Sequence, residues 1–340
     1  MPEENTTNHD QTPQKNGHCS VLLNETIAAL QPVTGGLYVD ATFGDGGHTM
    51  AILAASAPDG RVLALDRDLE AIQRGRPLAA SQPERLTLVH RPFSQLEAVL
   101  SEACLMGQVN GILFDVGLSS RQLDAPHRGF SFRLDGPLDM RMDGSVPAPT
   151  AADLVNHMHA EALADLFFRY GEERHSRKVA RAIVNQRAKA PFTTTRQLAS
   201  LLEQTLPGAW TGIHPATRVF QALRIAVNHE LDELHTGLTA ALPALALHGN
   251  MVAISFHSLE DRIVKQTFRQ AALPPPPPTG PAALLPSTRP TPPQFKLSAC
   301  KPIQPGPNEI HRNPRARSAK MRVIQRILPA PCSIGQGNLA

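Results

Sequence analysis

The sequence predicts an α/β fold, a Rossmann-like sheet with a helical domain inserted into it. Three features predict it. Short apolar runs alternate with helical stretches through the first third of the 340 residues, the rhythm of βαβ units. The first run ends in a glycine loop, and the next one ends in an acid. The interval between the fourth and fifth runs exceeds what one crossover helix needs, and it is filled with residues at helical spacing.

The elements follow in order. Leu37–Ala41 is a short strand, and Thr49–Ala55 opens a helix after the glycine loop. Arg61–Asp66 and Arg85–His90 are the second and third strands. Gly111–Asp115 is the fourth, mostly continuous in apolar character as a strand covered on both faces is. Leu163, Leu166, Phe167 and Tyr170 recur at helical spacing, as do Val179, Ala180, Ile183 and Val184, then Leu198, Leu201 and Leu202. One long helix is expected next, with Pro215 in its first turn and a buried stripe from Val219 to Leu238. It returns the chain to a fifth strand, Met251–Phe256. A proline-rich stretch from Pro274 to Pro293 is neither helix nor central strand. Phe295–Ile303 and Ala319–Ile327 read as a closing pair of strands at the sheet edge.

The expected organisation is a disordered tail (1–17), a first core segment (18–121) and a helical substrate-recognition domain (122–214). A second core segment (215–272), a proline-rich linker (273–294), a strand hairpin (295–328) and a tail (329–340) complete it.

Composition narrows the class. The hydrophobic fraction of 41% supports a core, and there is no run of about 18 apolar residues to span a membrane. The polar N-terminus lacks the apolar segment of a signal peptide. Cys19, Cys104, Cys300 and Cys332 lie far apart, so reduced thiols in a cytoplasmic protein are expected. No metal-ligating constellation emerges. Net charge is only +3, yet the basic residues cluster. Ile310–Ala340 contains no acid, and Arg174, Arg177, Lys178, Arg181, Arg187 and Lys189 crowd the middle of the chain. Such patches fit either a polyanionic partner or a solvated face.

Gly44-Asp45-Gly46-Gly47-His48 can bring backbone close to a ligand, although by itself the loop favours an ordinary tight turn. Asp66, 22 residues after Gly44, is placed to accept hydrogen bonds from both ribose hydroxyls of a nucleoside. NAD and S-adenosylmethionine both fit that spacing. Thr49 stands where the NAD loop has its third glycine, and the acidic Asp40 and Asp45 suit a ligand without phosphate. The methyl donor is therefore preferred. Phe93 either stacks on the adenine or belongs to the core. Asp115 either touches ligand or amine, or caps the next turn. His48 reads as structural rather than as a base. Ser258 followed by Asp261 resembles a helix cap.

Further motifs extend the pattern: His18-x-x-Val21-Leu22-Leu23-x-Glu25, Asp115-x-Gly117-x-Ser119-Ser120-x-Gln122-Leu123-Asp124 and Arg128-Gly129-Phe130-Ser131-Phe132. Gly136-Pro137-Leu138-Asp139-Met140-Arg141-Met142-Asp143 is the most distinctive. Gly171-Glu172-Glu173-Arg174, His214-Pro215-Ala216-Thr217-Arg218, Ser255-Phe256-His257-Ser258-Leu259-Glu260-Asp261-Arg262 and Asn313-Pro314-Arg315-Ala316-Arg317-Ser318 follow. Together, from about His18 to Ile327, they closely resemble the bacterial 16S ribosomal RNA cytosine-N4 methyltransferases, the RsmH or MraW family.

The resemblance implies a class I methyltransferase sheet and S-adenosylmethionine as cofactor. It implies N4-methylation of cytidine 1402 in the decoding centre of 16S ribosomal RNA, within the small ribosomal subunit. Carried onto matching positions, it makes Gly46, Gly47, His48, Asp66, Phe93, Asp115 and Gln122 the cofactor contacts. Many amino-methyltransferases carry D/N-P-P-Y/F where this chain has Asp115-Val116-Gly117-Leu118. Asp139 and Asp115 are the expected acceptors for the substrate amine, with pairing to Arg141 the structural alternative for Asp139. Arg177, Arg181, Arg315, Arg317 and Arg322 are expected to contact phosphates.

Overall fold

The structure, a computed structural model, describes residues 20–206, 212, 214–274 and 292–329. The predicted N-terminal tail, most of the proline-rich linker and nearly all of the C-terminal tail lie outside the described residues.

Seven strands form one sheet: β1 (Leu37–Asp40), β2 (Arg61–Asp66), β3 (Leu86–His90), β4 (Val109–Asp115), β5 (Leu245–Ser255), β6 (Phe295–Leu297) and β7 (Lys320–Arg326). Their order is β3-β2-β1-β4-β5-β7-β6. β1 to β5 run parallel; β7 is antiparallel to β5, and β6 to β7. Strand order reverses between β1 and β4, and ligands of open α/β sheets bind beyond the carboxyl ends at such a point. Asp40, Asp66 and Asp115 each terminate a strand at that edge. Asp66 and Asp115 line the crevice there, and Asp40 lies buried behind it.

One apolar cluster covers each face of the sheet. Leu96, Leu100, Phe114, Leu234, Leu238 and Phe268 belong to the first. Leu22, Tyr38, Ile52, Leu113 and Met321 belong to the second. β5 begins six positions before the predicted strand, at Leu245, and a bulge opposite Val109 and Gly111 absorbs the extra length. The closing pair is shorter on one side than predicted: β6 stops at Leu297, and Ile303 rejoins the sheet through a single bridge to Met321.

A third, separate core lies in the insertion. The helices Ala151–His157, Ala160–Gly171, Ser176–Arg187, Thr195–Thr205 and Ala216–Asn228 surround Leu163, Phe167, Ile183, Leu198 and Leu223. The single long helix expected from Pro215 is instead two helices, Ala216–Asn228 and Glu230–Ala241, parted by His229 at φ 51°. Its apolar stripe is divided accordingly. Val219, Phe220, Leu223 and Val227 pack in the helical core, whereas Leu234 and Leu238 pack on the sheet. The helical core therefore extends to Val227, beyond the expected boundary at 214.

The break has a local cause. Buried Asn228 donates to the Met140 carbonyl at 2.7 Å and accepts from the Met142 amide at 2.7 Å. Arg224 grips Glu230 across the corner with two hydrogen bonds of 2.8 and 2.7 Å. These bonds satisfy polar groups that continued helix would leave elsewhere, and they fix the insertion against the sheet.

Candidate active site

A cavity of about 390 Å³ opens at the carboxyl ends of the strands, within the range of small-molecule sites. Its wall includes Gly47 and His48 after β1, Asp66 after β2, Phe93 after β3, and Asp115 and Gln122 after β4. Six of the seven expected cofactor contacts therefore share one cavity. Gly46 does not line it: it ends the turn against the Phe43 ring. At Gly47 a Cβ would run into the Ser20 hydroxyl, so only glycine permits this approach.

Asp66 is fixed from both sides. Its Oδ2 accepts from the Gly44 amide at 2.7 Å, and its Oδ1 accepts from the Asp68 amide at 2.8 Å. Burial nevertheless outweighs those bonds and pushes its pKa up to about 6. A ligand that donates hydroxyl hydrogens here stabilises the carboxylate. Phe93 packs edge-on against Phe114, with ring centroids 5.6 Å apart, which leaves it part of the cavity wall.

Behind β1, buried Asp40 accepts from the Thr49 hydroxyl at 2.7 Å and from the Thr42 amide at 3.1 Å. Thr42 in turn accepts from the Asp115 amide at 2.8 Å, tying β1 to β4. His48 Nε2 stands 3.4 Å from Asp115 Oδ2 as an ion pair without an aligned hydrogen bond. Burial opposes its charge, but the carboxylates of Asp115 and Asp40 prevail and raise its pKa above the ordinary histidine value. Asp115 Oδ1 is buried and has no hydrogen-bond partner among the described residues.

Gln122 does more than line the wall. It completes a capping box with Ser119, and its Nε2 donates to Asp68 Oδ2 at 2.8 Å. Arg128 reaches the same oxygen at 3.0 Å and also donates to the Met142 carbonyl at 2.7 Å. This buried arginine, part of a motif to which the sequence alone assigned no role, fastens the Gly136–Asp143 segment beside the cavity.

Asp139 is not on the cavity wall. Arg141 binds both of its oxygens at 2.8 Å, and these bonds overcome the opposing effect of burial to lower its pKa. The structure thus places it in the structural alternative. Arg322 needs the same correction: its side chain is 13% exposed and donates to Asp261 at 2.7 Å. Arg315 lies on the rim, paired with Asp124 at 2.6 Å, while Arg317 is exposed. Arg177 and Arg181 stand exposed on the helix Ser176–Arg187 with no ion pair among the described residues.

Beyond β5, Glu230, His257 and Glu260 bring ligand atoms within 4.8 Å of one another. Arg224 already binds Glu230 with two hydrogen bonds and lies 3.9 Å from Glu260. Its guanidinium supplies the positive charge of this cluster. The cap of the following helix is His257 with Glu260, one residue before the expected Ser258 and Asp261. Arg224, Glu230 and Phe256 also reach the cavity wall, and no motif in the sequence singled out the first two.

The wall fits a nucleoside: Asp66 offers a carboxylate to hydroxyl donors, Phe93 an aromatic surface, and the Gly47–His48 turn backbone without a side chain at Gly47. The chain matches the MraW methylase family over residues 15–327. Ribosomal RNA small subunit methyltransferase H of Magnetococcus marinus is 51% identical over 310 residues, 91% of this chain and 98% of that protein. Its counterpart in Beijerinckia indica is 53% identical over 310 residues, 90% and 84% of the two chains. That of Thermomicrobium roseum is 49% identical over 320 residues, 93% and 95%. The chain belongs to the MraW methylase family and is an S-adenosylmethionine-dependent methyltransferase.

Proposed function

We propose that the protein methylates the exocyclic N4 of cytidine 1402 in 16S ribosomal RNA, within the small ribosomal subunit and in the cytoplasm. The observation that carries this reading is the Asp115 carboxylate, which ends β4 on the wall of the cavity with its side chain 23% exposed. Relatives about half identical to this chain carry the name of small-subunit ribosomal RNA methyltransferases, which supplies the RNA.

A cytosine amine is a poor nucleophile because its lone pair is delocalised into the ring. Asp115 accepts one amine hydrogen, favours pyramidal nitrogen and holds it in line for attack. When bound, S-adenosylmethionine supplies an electrophilic sulfonium methyl. Methyl transfer from it would leave the S–C bonding pair on sulfur, and the proton displaced from N4 would pass to the Asp115 carboxylate and then to solvent. Asp66 and Phe93 hold the nucleoside end, and His48 Nε2 stands 3.4 Å from Asp115 Oδ2. Asp139 is left with Arg141 and outside the reaction.

The target base must leave its stack to reach this cavity, a cost lowest in loosely paired RNA. Arg177, Arg181 and Arg317 are the exposed cations assigned to phosphates, with Arg315 at the rim. The test is methyl transfer to unmodified small subunits, followed by nucleoside mass spectrometry. N4-methylcytidine supports the reading; a methyl on carbon or on ribose refutes it.

A further inference from the structure

We infer that Phe256 is the platform on which the target pyrimidine stacks, with the Gly117 backbone packed against its ring. The inference rests on the cytosine-N4 reading and adds to it the residue that receives the base.

Sheet order divides the cavity. Asp66 and Phe93 follow β2 and β3 and hold the nucleoside end, and the Gly47–His48 turn follows β1. Asp115 ends β4, the next strand. What remains for a second molecule is the side toward β5, which Asp115 adjoins through its pairing with Ile254. Phe256 stands two residues beyond Ile254, half-buried and on the cavity wall. Among the wall residues on this side it is the aromatic one. The other aromatic of the wall outside the glycine loop, Phe93, is at the opposite end.

Gly117 explains how the Phe256 ring is accommodated there. Its φ is +123°, and a Cβ on it would lie 3.3 Å from Phe256 Cδ2. Backbone without a side chain therefore lies against the phenyl ring, immediately after Asp115. An acceptor for amine hydrogens and an aromatic surface thus stand two residues and one strand apart. That pairing suits a flat heterocycle with an exocyclic amine. Stacking holds the ring while Asp115 engages the nitrogen.

The buried charges beyond β5 acquire a purpose in this arrangement. Glu260 Oε2 accepts from the Phe256 amide at 2.7 Å and from the His257 amide at 3.2 Å. Arg224 and His257 hold the Glu260 carboxylate below the usual range despite burial. The ionised carboxylate fixes the backbone that carries the ring. Arg224 and Glu230 belong to the corner where the helical insertion meets the sheet, so insertion and platform are positioned together.

The test compares Phe256→Tyr, Phe256→Leu and Phe256→Ala in the full chain. It reads cofactor affinity by calorimetry, methylation of small subunits, and quenching of a pyrrolocytidine oligonucleotide. Stacking predicts that tyrosine retains activity and quenching, whereas leucine and alanine lose about 5- to 150-fold in kcat/KM and lose quenching. Cofactor affinity stays within about threefold in all three, on the order of half a kcal/mol. Leucine matching wild type in both readouts overturns the platform while leaving the methylation reading intact. Loss of cofactor binding by the leucine variant also overturns it, by making Phe256 a packing residue. If wild type methylates no cytidine N4, the underlying reading fails and takes the cytosine platform with it.

Discussion

His48 Nε2 lies 3.4 Å from Asp115 Oδ2, and both side chains face the same cavity while Asp40 sits buried behind them. One imidazole therefore serves two carboxylates. Its pKa lies above the ordinary value because those charges outweigh burial. An unfolded histidine titrates near 6.5. The pair's contribution to stability is thus complete below about pH 6.5 and is lost as pH rises through the higher folded value. Histidine NMR titration should place His48 above 6.5, and Asp115→Asn should lower it. An unchanged titration in that variant would show that Asp115 does not hold the charge.

Asp66 gives the opposite dependence on ligand. Its folded pKa of about 6 exceeds the ordinary 3.8, so the free protein loses stability as pH rises from the ordinary carboxylate range through about 6. Ribose hydroxyls donate to the ionised form. Cofactor binding should therefore tighten between pH 5 and 7 and release protons, measured calorimetrically in buffers of different ionisation enthalpy. Asp66→Asn should weaken binding about 10- to 150-fold, the scale of a charged hydrogen bond, and flatten the pH dependence. A flat profile in wild type would remove Asp66 from the ribose site.

Asn228 joins the corner of the insertion to the segment of Met140 and Met142. Replacing it with alanine strands a buried carbonyl and a buried amide. The expected destabilisation is about 2–4 kcal/mol in urea unfolding. A loss below about 0.5 kcal/mol would mean that the corner is held by Arg224 and Glu230 alone.

The arginines separate into two kinds of prediction. Arg177→Ala and Arg181→Ala should weaken RNA binding and lower the salt slope by about 0.7–0.9 for each phosphate no longer neutralised. Arg322→Ala should instead cost stability, because Asp261 then keeps only Lys320, at 3.3 Å, of the two cations that counter its burial, and leave the slope unchanged. Reversal of those two patterns would reinstate Arg322 as an RNA-binding residue.

Much of the cavity wall was legible because strand ends and loop residues announce themselves locally. Asp66 and Asp115 each close an apolar run, and Gly47 follows the first one. What sequence left open depended on distant partners. Arg322 looks like a free charged group until Asp261, 61 residues away, is found beside it, whereas Arg141 was in view as a partner for Asp139 from the start. Helical periodicity located the stripe from Val219 to Leu238 but is blind to a one-residue reversal, since the break at His229 leaves each half amphipathic. Arg224, Glu230 and Phe256 converge on the cavity only after the insertion folds back on the sheet, and no local spacing encodes that meeting.

The most direct measurement is single-turnover methylation of unmodified small subunits by wild type and Asp115→Asn, with the product nucleotide mapped. Wild type should yield N4-methylcytidine at one position, and the variant should lose about 10²–10⁴-fold in rate while retaining cofactor within about tenfold. Methylation elsewhere, or an unimpaired Asp115→Asn, would contradict the account.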